Sequence, residues 1–275
     1  MQQRPILVIG ATGKTGRRVV HRLQSAGHAV RPGARGAPIP FDWDQPASWA
    51  RALAGCRAAY VTYFPDIAVP GAVEKVAALC EAVRAAGLER LVLLTGRGEQ
   101  HAQRGEEVVR RSGLDHTIIR AAWFAQNFSE GALHAPLLSG VLPMPGGDVA
   151  EPIIDIDDIA DVAFAALTEP RHSGALYEVT GPRLMTFAQM AEDLSTAMGR
   201  PVRHVPMSFE AFHESLMSSM GKALADIVTQ IARETLDGRN AHLADGVTLA
   251  LGRPPRDFAA FAQSAAQAGA WAQVA

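Results

Sequence analysis

Two hydrophobic periods alternate along the first 180 residues. Residues 5–9 (PILVI) form a short continuous apolar run that ends at a glycine-rich turn. From 14 to 26 the apolar positions Val19, Val20, Leu23 and Ala26 recur at helical spacing, and Gly27 supplies the stop that helix C-termini favour. Residues 28–31 read as a second strand, 46–54 as a short helix with Pro46 in its first turn, and 58–63 (AAYVTY) as a third strand. Between Pro70 and Ala86, the residues Val73, Val76, Ala77, Cys80, Val83 and Ala86 return every three or four positions, which predicts a helix closed by Gly87. Leu91–Leu94 is apolar without a break, as a strand buried on both faces requires. A helix over 100–111, a strand over 116–120, a helix over 157–168 and a strand over 175–180 follow. Acidic residues open the helix at 157, where the helix dipole favours them. Strands separated by helices imply βαβ units, hence a parallel sheet with helices on both sides and right-handed crossovers.

The pattern then changes. Residues 138–152 are rich in Gly and Pro and predict a loop, and beyond residue 181 the chain is mostly helical. The expected fold is α/β, a Rossmann-type doubly wound parallel sheet with a smaller, mostly helical C-terminal substrate lobe. The core is expected over 1–135, with 153–180 returning to it, and the lobe over 136–152 and 181–275.

Composition narrows the function classes. With 48% hydrophobic and 20% charged residues in 275, the chain is of ordinary globular make-up rather than disordered. A net charge of −2 gives no overall basic footprint for nucleic acid. Two cysteines, Cys56 and Cys80, exclude a disulfide scaffold and a cysteine-rich zinc site. No run reaches 18 apolar residues and the N-terminal run is too short for a signal peptide, so a soluble cytoplasmic protein is expected. A small-molecule substrate is the expected partner, with no nucleic acid and no membrane; symmetry statistics point to a homodimer. Of 26 basic residues only Lys14, Lys75 and Lys222 are lysines, so lysine chemistry has three candidates.

The sharpest motif is Gly10-Ala11-Thr12-Gly13-Lys14-Thr15-Gly16, between the first strand and the first helix. There a dinucleotide pyrophosphate docks on a helix N-terminus, and glycines allow the tight turn and close backbone approach. A P-loop would need glycine five residues before Gly13, where Val8 stands. NAD binders place a carboxylate about 20 residues beyond the first glycine to hold the ribose. Here no carboxylate occurs before Asp42, and Arg31 and Arg35 occupy the region. An arginine fork matches a 2′-phosphate, so NADP(H) is the expected cofactor.

The segments GATGKTG (10–16), Arg35, FDWD (41–44), LVLLTGRGE (91–99), SGLDHTIIRAAWFAQNF (112–128), IIDIDDIADVAFAAL (153–167) and YEVTGPRLMTFAQMA (177–191) resemble the NmrA-like group of atypical short-chain dehydrogenases/reductases. The likeness is greatest to its quinone-reductase-like and ergot-alkaloid-reductase-like branch and runs over nearly the whole chain. It implies a Rossmann core binding NADP(H), with a substrate cleft between core and lobe. It places Gly10, Thr12, Gly13, Lys14, Thr15 and Gly16 at the pyrophosphate, Arg35 with Lys14 at the 2′-phosphate, and Asp42 near the adenine. Thr62, Tyr63 and Phe64 would border the ribose and nicotinamide, with Thr95 and Gly96 near the nicotinamide. Trp123, Phe124 and Asn127 would line the substrate pocket.

The chain departs from most short-chain dehydrogenases in its acid. Their Tyr-x-x-x-Lys spacing is absent: Phe64, Ile67 and Gly181 stand four residues after the three tyrosines, and 97–115 holds no lysine. An iminium or a quinone accepts hydride without a strong enzymic acid, so geometry supplies much of the effect for such acceptors. Thr95 is a candidate hydrogen-bond donor to the acceptor, Arg97 a stabiliser of developing negative charge, and Glu99 or His101 a proton shuttle; a surface Arg97–Glu99 ion pair is the plainer reading. Asp155, Asp157, Asp158 and Asp161 open a helix, so capping accounts for them and no metal is expected. Met207, Met217, Met220, Phe209 and Phe212 suit either an adaptable apolar cleft or ordinary core. The expected function is an NADPH-dependent reductase passing hydride to a small apolar acceptor (quinone, imine or enone). The alternatives are a non-catalytic NADP(H)-sensing regulator of the NmrA type and a cofactor-dependent isomerase or cyclase.

Overall fold

The computed structural model describes residues 3–272. The first half alternates as the periodicity predicts: β1 (Ile6–Ile9), α1 (Lys14–Ser25), β2 (Val30–Gly33), α2 (Trp49–Leu53), β3 (Ala58–Val61), α3 (Ala72–Ala85), β4 (Arg90–Gly96), α4 (Gln100–Arg111) and β5 (His116–Ala121). Two short helices follow, α5 (Asn127–Glu130) and α6 (His134–Leu138), then β6 (Val141–Met144), α7 (Ile156–Thr168) and β7 (Leu176–Val179). The rest comprises α8 (Phe187–Met198), β8 (Arg203–Pro206), α9 (Phe209–Met220), α10 (Lys222–Thr235), α11 (Gly246–Leu251) and α12 (Phe258–Gln267).

Six parallel strands lie in the order β2-β1-β3-β4-β5-β7. α1 and α7 cover one face, where Val19, Leu23, Ile159 and Ala163 close over Val8, Tyr60 and Val92. α2, α3 and α4 cover the other, where Trp49, Val76, Leu79 and Val109 meet Leu7, Val61 and Leu93. A third apolar cluster joins Phe128, Leu142, Phe187, Leu194, Phe212 and Phe258 in the helical lobe. Most of the buried sheet residues are Val, Ile, Leu and Ala, the composition of a parallel sheet covered on both faces; Tyr60, Thr95, Thr117 and Tyr177 are the larger or polar exceptions.

Two readings shift. The second strand begins at Val30 rather than 28, because Val30 is the first residue in register with Ile6. The predicted loop 138–152 contains β6, which pairs in parallel with β8. A strand whose partner lies some sixty residues away leaves no local periodicity to detect. α11, inside the stretch assigned to the lobe, packs its Val247 and Ala250 into the core cluster beside α7 and β7. Gly246 makes this possible, since a Cβ there would lie 2.2 Å from the Glu178 carbonyl.

A buried polar bracket ties α7 to the segment before α5. Asp155 caps α7 by accepting from Asp157 N (2.8 Å) and also accepts from Gln126 Nε2 (2.7 Å). Gln126 Oε1 in turn accepts from Ile156 N at 2.9 Å. Asp158 and Asp161 instead pair with Arg253 and Arg256, so this acidic group is structural, as capping predicts in part. Gln126→Ala takes one of its two donors from the buried Asp155 carboxylate and leaves the Ile156 N–H unpaired, and is expected to cost about 1–3 kcal/mol, read as a lower urea midpoint. An unchanged midpoint would show that the bracket contributes nothing.

Candidate functional site

The chain leaves β1 toward β2 on one side and returns as β3 on the other. Such a switch point opens a crevice at the carboxyl ends of the strands. Gly10 stands at this crevice with φ +79°, and a Cβ there would come 2.1 Å from Thr62 Oγ1. Thr62 donates to the Ile9 carbonyl at 3.1 Å, so β3 closes on the end of β1. Gly13 is the N-cap of α1 and provides no side-chain cap. At Gly16 a Cβ would lie 2.1 Å from the Gly10 carbonyl, so only glycine lets α1 start this close to the strand. The uncapped first turn of a twelve-residue helix, with Thr12 and Gly13 exposed and Thr15 buried, presents N–H groups and the positive dipole end to an anion.

Lys14 and Asn127, expected at cofactor and substrate respectively, come together: Lys14 Nζ donates to Asn127 Oδ1 at 2.7 Å. Burial holds the Lys14 ammonium below its ordinary range, with Glu130 opposing and Arg17 and Arg18 reinforcing. Arg17 and Arg18 both pair with Glu130.

The two arginines of the 2′-phosphate region part company. Arg31 donates to the carbonyls of Ala52 (2.8 Å) and Ala54 (2.6 Å) and braces α2. Arg35 is exposed and, among the described residues, makes no ion pair or hydrogen bond; its guanidinium lies 5.8 Å from the ring centre of Phe64, itself 62% exposed. Asp42 organises its own turn, accepting from Asp44 N (3.0 Å) and Gln45 Nε2 (3.3 Å). Tyr63 packs on Trp43, with ring centres 4.6 Å apart.

At the end of β4 the parallel register sets Thr95, Arg120 and Glu178 in one row across three strands. Thr95 Oγ1 donates to Glu106 Oε1 (2.8 Å), and Arg120 bridges Glu106 (2.5 Å) and Glu178 (3.3 Å). Arg97, 3% exposed, completes the row: Nε meets Glu178 Oε1 at 2.6 Å, and Nη1 and Nη2 meet the carbonyls of Asn240 (2.8 Å) and His242 (2.9 Å). The surface Arg97–Glu99 pair expected from sequence is therefore replaced by a buried Arg97–Glu178 pair. All three guanidinium nitrogens hold the chain together, which removes Arg97 from the candidates for meeting developing charge. Thr95 has its hydroxyl proton committed to Glu106. His101 is half-buried on α4.

Two carboxyls stand out. Glu99 is 6% exposed, and its Oε2 has no partner among the described residues. A Cβ on Gly96 would lie 1.9 Å from its Oε1, so the carboxylate fills the space that glycine leaves at the end of β4. Burial first, then Asp66 and Glu234, push its acid well above the usual range. Glu151 is 1% exposed with both carboxylate oxygens unpartnered. Burial raises it to about 7 against the pull of Arg97, with Asp237 adding to the rise. Sequence spacing pointed to Glu99 but not to Glu151, which lies in the Gly/Pro-rich stretch.

Trp123 and Phe124 face opposite ways. Trp123 packs with the lobe cluster and donates to Thr235 Oγ1 (2.9 Å), while Phe124 packs against the core. Phe212 is buried in the lobe, with Met207, Phe209 and Met220 packed on it. Met217 is exposed at a hollow between α9 and α10. These side chains are thus mainly lobe core.

A Rossmann sheet with this turn defines a dinucleotide-binding protein. The chain belongs to the NAD(P)H-binding family, whose profile matches residues 10–170. It is 34% identical over 286 residues to the NAD(P)H azoreductase of Xenophilus azovorans, covering 96% of this chain and 98% of that protein. Its fold is shared with Citrobacter sp. triphenylmethane reductase complexed with NADP(H) (22% identity, 95% and 99% coverage, TM-score 0.78). It is also shared with NmrA, a negative transcriptional regulator in complex with NAD (14% identity, 96% and 95% coverage, TM-score 0.71). Among the described residues no helix is long and apolar enough to cross a membrane, and no group of three or more His, Cys, Asp or Glu is arranged to hold a metal.

Glu151 yields a pH prediction. Its folded acid lies above the unfolded one, so its favourable contribution is complete below about pH 4 and is lost as pH rises through about 7. Glu151→Gln, which cannot ionise, is expected to match wild type near pH 4. At pH 8 it should be more stable by on the order of 3 kcal/mol, measured by denaturant titration across pH. Parallel pH profiles would refute the assignment.

Proposed function

We propose that the chain is an NADPH-dependent reductase that passes hydride to a small apolar acceptor such as a quinone, imine or enone. The observation that carries this reading is the glycine turn opening α1 at the β1/β3 switch point, with the unpaired Arg35 over Phe64 beside it. The likeness to an azoreductase and to a triphenylmethane reductase supports a reductase.

In this reading the backbone at Gly10, Thr12, Gly13, Thr15 and Gly16 receives the pyrophosphate, with Lys14 held over it by Asn127. Arg35 meets the 2′-phosphate, Asp42 lies near the adenine, and Thr62, Tyr63 and Phe64 border the ribose and nicotinamide. Thr95 and Gly96 meet the nicotinamide, which supplies the hydride when bound. Trp123, Phe124 and Asn127, at the seam between core (1–135 with 153–180) and lobe, bound the acceptor. The chain's contribution is orientation and exclusion of water.

Calorimetric titration tests the cofactor assignment. NADPH is expected to bind more tightly than NADH. Arg35→Ala should weaken NADPH roughly ten- to hundredfold, the scale of one charge-assisted bond, and leave NADH unchanged. Arg31→Ala should lower stability without altering the preference. Equal loss of both cofactors in Arg35→Ala would refute the 2′-phosphate role. Tight NADPH binding with no turnover of quinones, imines or enones would place the chain with NmrA-type regulators instead.

A further inference from the structure

We propose that the Glu99 carboxyl protonates the acceptor during the reduction. This rests on the reductase reading and names the acid that the missing Tyr-x-x-x-Lys spacing leaves unassigned.

Four observations converge. The carboxyl stands on Gly96, in the space a side chain would fill, at the end of the strand assigned to the nicotinamide. Glu99 is 6% exposed, and its Oε2 is buried with no hydrogen-bond partner among the described residues, so its bonding capacity is unused in the cofactor-free protein. The neighbours that face it are acidic: Asp66 from the connection after β3 and Glu234 from α10. Glu234 itself accepts from Gln100 N at 3.0 Å, and the nearby Arg239 is held mainly by Asp237 at 2.8 Å, with Glu234 at 3.9 Å. Among the described residues no cation therefore compensates a charge on Glu99, and the neutral acid is the favoured form in place.

Three of the alternative donors, Thr95, Arg97 and Tyr177, are engaged elsewhere. The Thr95 hydroxyl donates to Glu106, and Arg97 is bound to Glu178, Asn240 and His242. Tyr177 meets His172 at 2.8 Å. Tyr60 keeps an unpartnered hydroxyl but is fully buried beneath α1.

The step balances as follows. Hydride from the reduced nicotinamide forms a bond at one end of the acceptor's conjugated system, and the displaced π pair comes to rest on the carbonyl oxygen at the other end. That oxygen takes the proton of Glu99, whose O–H bond breaks to leave a carboxylate. The acceptor gains two electrons and two hydrogens, the nicotinamide is oxidised, and water reprotonates Glu99 when the product leaves. An iminium acceptor needs hydride alone and leaves Glu99 unused.

The test compares E99Q with wild type in three readouts. In the cofactor-free protein at pH 7, the infrared carbonyl band of a protonated carboxylic acid is expected in wild type and missing, for one group, in E99Q. With NADPH, quinone turnover is expected to fall about 10²–10⁴-fold in E99Q, the usual share of proton transfer. Reduction of a preformed iminium, and the affinity for NADPH, should stay at wild-type values. Asp66→Asn supplies a variant that keeps Glu99: removing the neighbouring charge makes Glu99 easier to ionise, so the alkaline limb of quinone turnover should move to lower pH. Quinone reduction by E99Q at the wild-type rate, an infrared band equal in both proteins, or an unmoved alkaline limb would each overturn the donor role alone. A wild type that reduces no acceptor overturns the reductase reading, and the donor role with it.

Discussion

The ionic row across the carboxyl ends of β4, β5 and β7 is the constraint on which the site depends. Glu106, Arg120, Glu178 and Arg97 are bound to one another and to backbone carbonyls. Buried charges are costly unless every one is paired and its remaining donors are bonded. The row meets that condition because parallel register sets Thr95, Arg120 and Glu178 side by side. It joins the strand ends to α4 and to residues 240–242. The edge on which an acceptor would rest is therefore fixed from both the core and the C-terminal segment.

Arginine is the instrument of this bracing. A planar fork with several fixed donors reaches carboxylates and carbonyls together, which a lysine ammonium does less well. Arg31 reaches the backbone below α2, Arg90 ties Asp115 to the carbonyls of Ala166 and Glu169, and Arg183 joins Asp193 to Asp257. Arg35, like Arg51, Arg104 and Arg203, makes no ion pair or side-chain hydrogen bond among the described residues; what sets it apart is its place just after β2, beside the exposed Phe64 ring. A guanidinium in that place suits the 2′-phosphate role proposed for it.

The carboxyls divide the same way. Asp155, Asp158, Asp161 and Glu178 are capped or paired and serve the fold. Glu99 and Glu151 are buried without full partners and carry an energetic cost that packing elsewhere must offset. Unpartnered buried groups of this kind collect at functional sites.

The alternation of strands and helices, the parallel sheet, the glycine turn and the shortage of acid at the ribose position were all legible in the amino-acid order. Each depends on local spacing: a two- or 3.6-residue period, a glycine at a fixed offset, an arginine where a carboxylate would stand. What remained illegible depends on partners far along the chain. Arg31 and Arg35 are equivalent in sequence, and only the position of α2 separates the brace from the open fork. Arg97 read as the partner of a surface Glu99 until Glu178 and residues 240–242 came to rest on it. Strand β6 needed β8, and Glu151 acquired its environment from Arg97 and Asp237. Hydrophobic periodicity is a property of neighbouring residues, whereas the pairing of a buried charge is settled by whichever distant segment the fold brings against it.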